Sequence, residues 1–326
     1  MILFRGLLQW ACLICILVVS GCGIHPSRIG PPLFNKPIEL VDTVFFPQKK
    51  YQCGPAALAT VLQSSRIDVA PDALASQVYL PGRKGSLQAE LMAATRGYGR
   101  LPYVIQGTLA GLIAELEAGR PVLVLQDYGR AGLRMYHYAV VVGGMEHTLI
   151  LRSADEKRLL IDESTFLRTW KRAGYWGMVV LQPGQLPATL DREKYLAAAA
   201  GLEGAGKVEP AAQCYQALLS RWPAYDDALF GLATVRLAQH HYLEAIKLYR
   251  QLLMGDNDNP AAMNNLAEAL AAAGRVDQGV QELDRYLEHT DLSQRPFWEK
   301  TLLTTRNELQ QRLGELDGQA LERACP

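Results

Sequence analysis

Apolar positions along this chain change their period more than once. Residues 53–62 carry Leu58, Val61 and Leu62 at i, i+3 and i+4, one buried face of a helix. Pro55 suits its first turn, where a missing N–H costs nothing. Further helices are expected over 69–78, over 87–96 with Ser86 as N-cap and Gly97 as stop, and over 109–118 closed by Gly119. From residue 121 the pattern turns to strands. Residues 121–126 are continuously apolar, as in a buried strand. Strands at 136–142, 148–151, 158–161 and 175–181 follow, with a turn at 143–146 and a short helix from Ser164 to Lys171. Helices followed by an antiparallel sheet give an α+β order. Pro183-Gly184-Gln185-Leu186-Pro187 then breaks the pattern as a linker, and everything after it is helical.

The helical part repeats. Windows starting at Arg192, Asp226 and Pro260 are 34 residues apart. Their eighth positions are Ala199, Ala233 and Ala267, and their twentieth Ala211, Ala245 and Gly279. Small residues there let paired helices approach closely. Tyr215, Tyr249 and Leu283, with Leu219, Leu253 and Leu287, fill the spaces between pairs. This spacing resembles the tetratricopeptide repeat, over three windows, with 297–313 as a terminal capping helix.

Composition changes the picture in three places. With 33 basic and 33 acidic residues there is no electrostatic case for nucleic acid. The apolar run 7–20, with Arg5 before it, is too short to span a bilayer and reads as a signal. Val19-Ser20-Gly21-Cys22 at its end resembles the lipobox of bacterial lipoproteins. That resemblance implies lipidation at Cys22, a membrane anchor and, with Gly23 next, the periplasmic face of the outer membrane. Cys12 and Cys15 lie in the signal; of the remaining thiols Cys53, Cys214 and Cys325, at least one is unpaired within the chain, and after the signal no CxxC or HExxH spacing points to a metal or cofactor.

Cys53 starts the first helix, where backbone dipoles favour a thiolate. Gln48, five residues upstream, offers an amide N–H for an oxyanion. A cysteine nucleophile needs a base. His137 lies inside an apolar strand, where a polar ring is costly unless partnered. His25, His147, His240, His241 and His289 show no partner spacing. If the hairpin turn is centred near Met145, His137 faces Ser153 or its neighbours Arg152 and Ala154. Asp155 then shares the Ser153 face. Asp155 or, alternatively, Ser153 would orient the imidazole, and Asp127 on the preceding strand is a further candidate.

Gln48, Cys53-Gly54 and the His137 strand ending in glycine resemble the bacteriocin-processing leader peptidases, papain-like enzymes that cut after double-glycine leaders. The similarity spans residues 38–182. It implies a papain-like fold and a Cys, His and Asp set with an oxyanion glutamine. The chain departs in two places. The family's glutamine stands one residue further from the cysteine, and its Asp-Pro after the histidine strand is replaced by Arg152-Ser153.

The expected organisation is therefore a signal (1–22), a proline-rich tether (23–37), an α+β papain-like cysteine peptidase domain (38–182) and a linker (183–191). An all-α tetratricopeptide-repeat solenoid (192–290) and a capping helix and tail (291–326) follow. The expected partners are a peptide or protein substrate at Cys53 and a protein in the repeat groove. Two readings stay open: a peptidase, or a peptide-binding scaffold without turnover. An acyl transferase using the same pair is a third.

Overall fold

The computed structural model describes residues 31–130, 132–254 and 258–324, with side chains to residue 316. The signal, Cys22 and Cys325 lie outside the described residues. The first part is a seven-stranded antiparallel sheet in the order β2-β7-β3-β4-β5-β6, with β1 paired to β4. The strands are β1 Phe34–Glu39, β2 Leu101–Val104, β3 Val122–Asp127, β4 Tyr136–Glu146, β5 Thr148–Ser153, β6 Glu156–Asp162 and β7 Gly177–Leu181. The helices of this part are α1 Cys53–Ser64, α2 Pro71–Val78, α3 Gln88–Gly97, α4 Leu109–Glu117 and α5 Glu163–Arg172.

Each face of the sheet is buried, and that explains the continuous apolar strands. Leu123, Leu125, Tyr138, Val140 and Ile150 pack against Ala57, Leu58, Val61 and Leu62 of α1. On the other face, Val122, Val124, Ala139, Val141 and Leu151 meet Leu112 and Leu116 of α4 and Phe166 and Trp170 of α5.

Four local expectations change. The segment expected as a tether is already strand from Phe34, which is buried. Gly143 and Gly144, expected in a turn, are inside β4. A Cβ on Gly143 would strike the Ile38 backbone, and one on Gly144 the Phe34 ring, so these glycines let β1 lie against β4. The turn falls later, at Glu146 and His147, with Glu146 at φ 46°. Ser86 is not the N-cap of α3; Leu87 holds that place.

The second part is helical: α6 Arg192–Gly204, α7 Val208–Arg221, α8 Asp226–Ala238, α9 Tyr242–Leu253, α10 Pro260–Ala272, α11 Val276–His289 and α12 Pro296–Ala324. The three windows read from the sequence open on the first residues of α6, α8 and α10. Ala199, Ala233, Ala267, Ala211 and Ala245 are fully buried, as their close-approach role requires.

Candidate active site

Cys53 is the first residue of α1, after Gln52 as N-cap. Gly54 follows because nothing larger fits. A Cβ there would fall 2.6 Å from the Cβ of Ser86. Ser86 in turn accepts the Tyr138 hydroxyl on its carbonyl at 3.4 Å, while its own buried Oγ has no hydrogen-bond partner. The sequence marked Ser86 as a helix cap, and only the Cys-Gly pair hinted that something must press on the start of α1.

The thiol sits at the edge of β4. Burial pushes the Cys53 thiol up, and hydrogen bonds from the backbone of Tyr138, Gly54 and Cys53 itself pull it down by less. Burial outweighs these hydrogen bonds, so the helix start does not by itself leave a thiolate. Gln48 reaches the same residue from the other side. Its Nε2 donates to the Tyr138 carbonyl at 3.4 Å, and its backbone N–H donates to the Ala154 carbonyl at 2.9 Å. The ladder explains why Tyr138 is open to both. Leu125, opposite Tyr138, sends its N–H away from β4 to the carbonyl of Trp176, just before β7, and the β4–β5 ladder starts only at Val140 with Arg152.

His137 lies next to Tyr138 and opposite Gln126. Its Nε2 is 2.9 Å from Ser153 Oγ, and its ring packs edge-to-face with Tyr128, with centroids 6.1 Å apart. Among the described residues Nδ1 makes no hydrogen bond. Burial lowers the imidazole's pKa, so the ring rests neutral near pH 7. Burial thus shifts both groups toward their neutral forms.

The hairpin register differs from the expected one, yet the contact with Ser153 exists. Val140 pairs with Arg152, and the pairing shifts at a bulge between Val141 and Gly143. Ser153 thus lies diagonal to His137 rather than opposite it, still within reach on the same face. Asp155 is not brought to the imidazole. Strand β5 ends at Ser153, which pairs with Glu156, so Ala154 and Asp155 form an exposed two-residue turn, with Ala154 at φ 51°. Asp127 is buried and occupied elsewhere. It accepts Arg134 Nη1 at 2.7 Å and the N–H groups of Gly129 and Met135 at 2.9 and 3.0 Å. The Arg134 guanidinium holds its carboxyl down at about 2. Asp127 shapes the β3–β4 loop that carries Tyr128.

Cys53 and Cys214 are both free thiols. Cys214 is fully buried in the repeats and faces Tyr195. No group of three or more potential metal ligands exists among the described residues. A cavity of about 550 Å³ between His240, Leu243 and Arg275 lies in the repeats, away from Cys53.

Residues 40–178 match the Peptidase_C39 like family, and residues 196–253 and 236–295 match tetratricopeptide-repeat families. No curated protein matches the chain. Among solved structures, a candidate C39-like peptidase from Bacillus anthracis is similar at 15% identity and TM-score 0.39, over 45% of this chain and 98% of that one. The peptidase domain of Streptococcus ComA, a bi-functional ABC transporter of a quorum-sensing pathway, gives 20%, 0.36, 43% and 98% in the same order. The Yersinia enterocolitica type III secretion chaperone SycD, in complex with a peptide of the translocator YopD, gives 21%, 0.34, 37% and 92%.

Proposed function

We propose that this chain, which joins a Peptidase_C39-like domain to tetratricopeptide repeats, is a cysteine peptidase whose repeats hold a protein partner or substrate. The observation that carries the reading is the convergence at Tyr138: the Cys53 thiol and the Gln48 amide both engage its backbone, next to a His137 pinned by Ser153. Neutral His137 takes the thiol proton as Cys53 sulfur attacks the scissile carbonyl. The oxyanion is met by the Gln48 amide and the backbone N–H of Cys53 at its helix start. At 3.4 Å the Gln48 bond to Tyr138 is long, so little is lost when the amide turns to the oxyanion. His137 returns the proton to the leaving amine, leaving a thioester. Water, deprotonated by His137, then cleaves the thioester and frees Cys53.

Digestion of a proteome-derived peptide library by the purified full chain tests this. New termini should appear with the wild type and be absent with folded Cys53→Ala and His137→Ala proteins. Gln48→Ala should slow cleavage by about 10²–10³. One observation favours a second reading, a scaffold that holds peptides without turnover: a hydroxyl stands where the resembled family has a carboxylate, beside a thiol pushed up by burial. A library left uncut by the wild type selects it.

The same proposal places the protein on the envelope, anchored by lipid at Cys22 on the periplasmic face of the outer membrane. Its support is Val19-Ser20-Gly21-Cys22 after an apolar run. One acyl chain binds only marginally, so a stable anchor needs more than one. Mass spectrometry of the mature N-terminus decides it, and an unmodified terminus beyond residue 22 removes the anchor.

A further inference from the structure

Two loops flank the start of α1. One runs through Lys49, Lys50 and Tyr51 to Cys53. The other, Pro81 to Gly85, is closed by a bridge between Leu80 and Gly85 and leads into Ser86, the residue pressed on Gly54. Cations stand on both. Lys49 is paired with Asp72 at 2.6 Å. Lys50, Arg83 and Lys84 are exposed and have no ion pair among the described residues.

Tyr51 ties the two loops together. Its ring lies 5.3 Å from Lys50 Nζ and 5.8 Å from Lys84 Nζ. It does so from a backbone that tyrosine rarely adopts, at φ 65°, two residues before the nucleophile, with 47% of its surface exposed. Such strain persists only where surrounding contacts hold it, and it is commonest at functional sites. Lys84 is also left-handed, at φ 50°. The left-handed Tyr51 and Lys84, together with Lys50, thus gather one aromatic face and two ammonium groups on the loops that flank the start of α1. The α1 terminus adds the same sign: its first turn contains no acidic residue, so its dipole is uncompensated. The chain as a whole has no net formal charge, so this local excess of cations is not a by-product of composition.

We propose that the mouth of the Cys53 site selects peptides carrying Asp or Glu beside the segment that enters it, through Lys50, Arg83, Lys84 and the face of Tyr51. The inference rests on reading Cys53 as the centre of a peptide-receiving site. Carboxylates pair with the lysine and arginine heads, and the aliphatic stem of a glutamate lies along the Tyr51 ring. The cations steer acidic peptides to the cleft and disfavour basic ones by repulsion.

The test reads binding apart from catalysis. A pool of random decapeptides is passed over the immobilised full chain bearing Cys53→Ala, and retained peptides are sequenced. The same is done with a Cys53→Ala chain that also carries Lys50→Glu and Lys84→Glu. Both substitutions are on exposed loops, and thermal melts check that the fold is intact. The expected result is roughly five-fold enrichment of Asp and Glu on the first protein, reduced by added salt and lost or inverted on the second. No acidic enrichment, or the same enrichment on both proteins, overturns the proposal. A wild-type chain that cuts nothing, while Cys53→Ala still enriches acidic peptides, refutes turnover and leaves this selectivity standing.

Discussion

At the scale of single residues, the proposed peptidase reaction makes the third position beside His137 the one that sets how strong a base the imidazole would be. Ser153 offers only a dipole, whereas a carboxylate would stabilise imidazolium by charge. Ser153→Asp should therefore raise the His137 pKa and move the acid limb of the pH–rate profile upward. Ser153→Ala, leaving Nε2 unpartnered, should slow cleavage without moving that limb upward. If the Ser153→Asp limb coincides with the wild type's, the hydroxyl does not orient the ring. Stability carries the same signature. Folding depresses the His137 pKa below its ordinary value of about 6.5, so between the folded pKa and 6.5 the unfolded chain binds the extra proton. This contribution is fully present above pH 6.5 and is lost as pH falls from there through the folded pKa. Urea denaturation at several pH values should show a shallower acid-side loss for His137→Gln than for the wild type, and equal slopes would contradict the burial effect. Cys53, Gln48 and His137 each carry a local signal in spacing or polarity, and Cys53 and Gln48 both engage the backbone of Tyr138, the neighbour of His137. Asp155 was misplaced because alternation along a strand says nothing about where the strand stops. The two-residue turn at Ala154 and Asp155 ends β5 two residues short of it.

At the scale of elements, periodicity was a good guide wherever a segment obeys one rule for many residues. The repeat helices start where the 34-residue windows start, because each window buries its small residues in the same way. Ala233 in α8 and Ala245 in α9 are fully buried where their helices meet. Replacing either with Trp should cost about 1–3 kcal/mol by overpacking. A thermal melt that matches the parent for both variants would mean that the pair interface is not built on these positions. Glycines misled where they serve packing between chain segments rather than turns. Gly143 and Gly144 looked like a hairpin end and are instead the surface on which β1 lies. Strands β1 and β2 were not read at all. β1 hides in proline-rich sequence, and β2 is short, with Pro102 tolerated on a strand that ends the sheet order.

At the scale of the whole molecule, the linker does not separate two independent bodies. The sheet face formed by Leu101, Tyr103, Val179 and Leu181 shares one apolar core with Tyr195, Ala199 and Leu202 of α6 and Ala211 and Leu218 of α7. Polar groups pin the connection between them. Glu115, fully buried, accepts the Ala188 N–H at 2.8 Å and pairs with Arg120 at 2.6 Å. The Tyr103 hydroxyl donates to the Thr189 carbonyl at 3.2 Å and accepts the Asp191 N–H at 3.0 Å. A separate core joins α9, α10, α11 and α12, with α8 contributing to both. Cooperative units follow shared cores rather than sequence motifs. The boundary of cooperativity should therefore fall within the repeats, at α8, and not at the linker. Amide hydrogen exchange under mild denaturant tests this on the full chain. Amides of α6 and α7 should open together with those of β2 and β7, and those of α10 and α11 in a distinct step. Tyr103→Phe should lower the opening free energy of the first group by about 0.5–1.5 kcal/mol for the hydrogen bond donated to Thr189, more where the Asp191 N–H is left unpaired, and leave the second group unmoved. Exchange of α6 and α7 in step with α10 and α11, and apart from the sheet, would show instead that the repeats form one unit held to the sheet only by the linker.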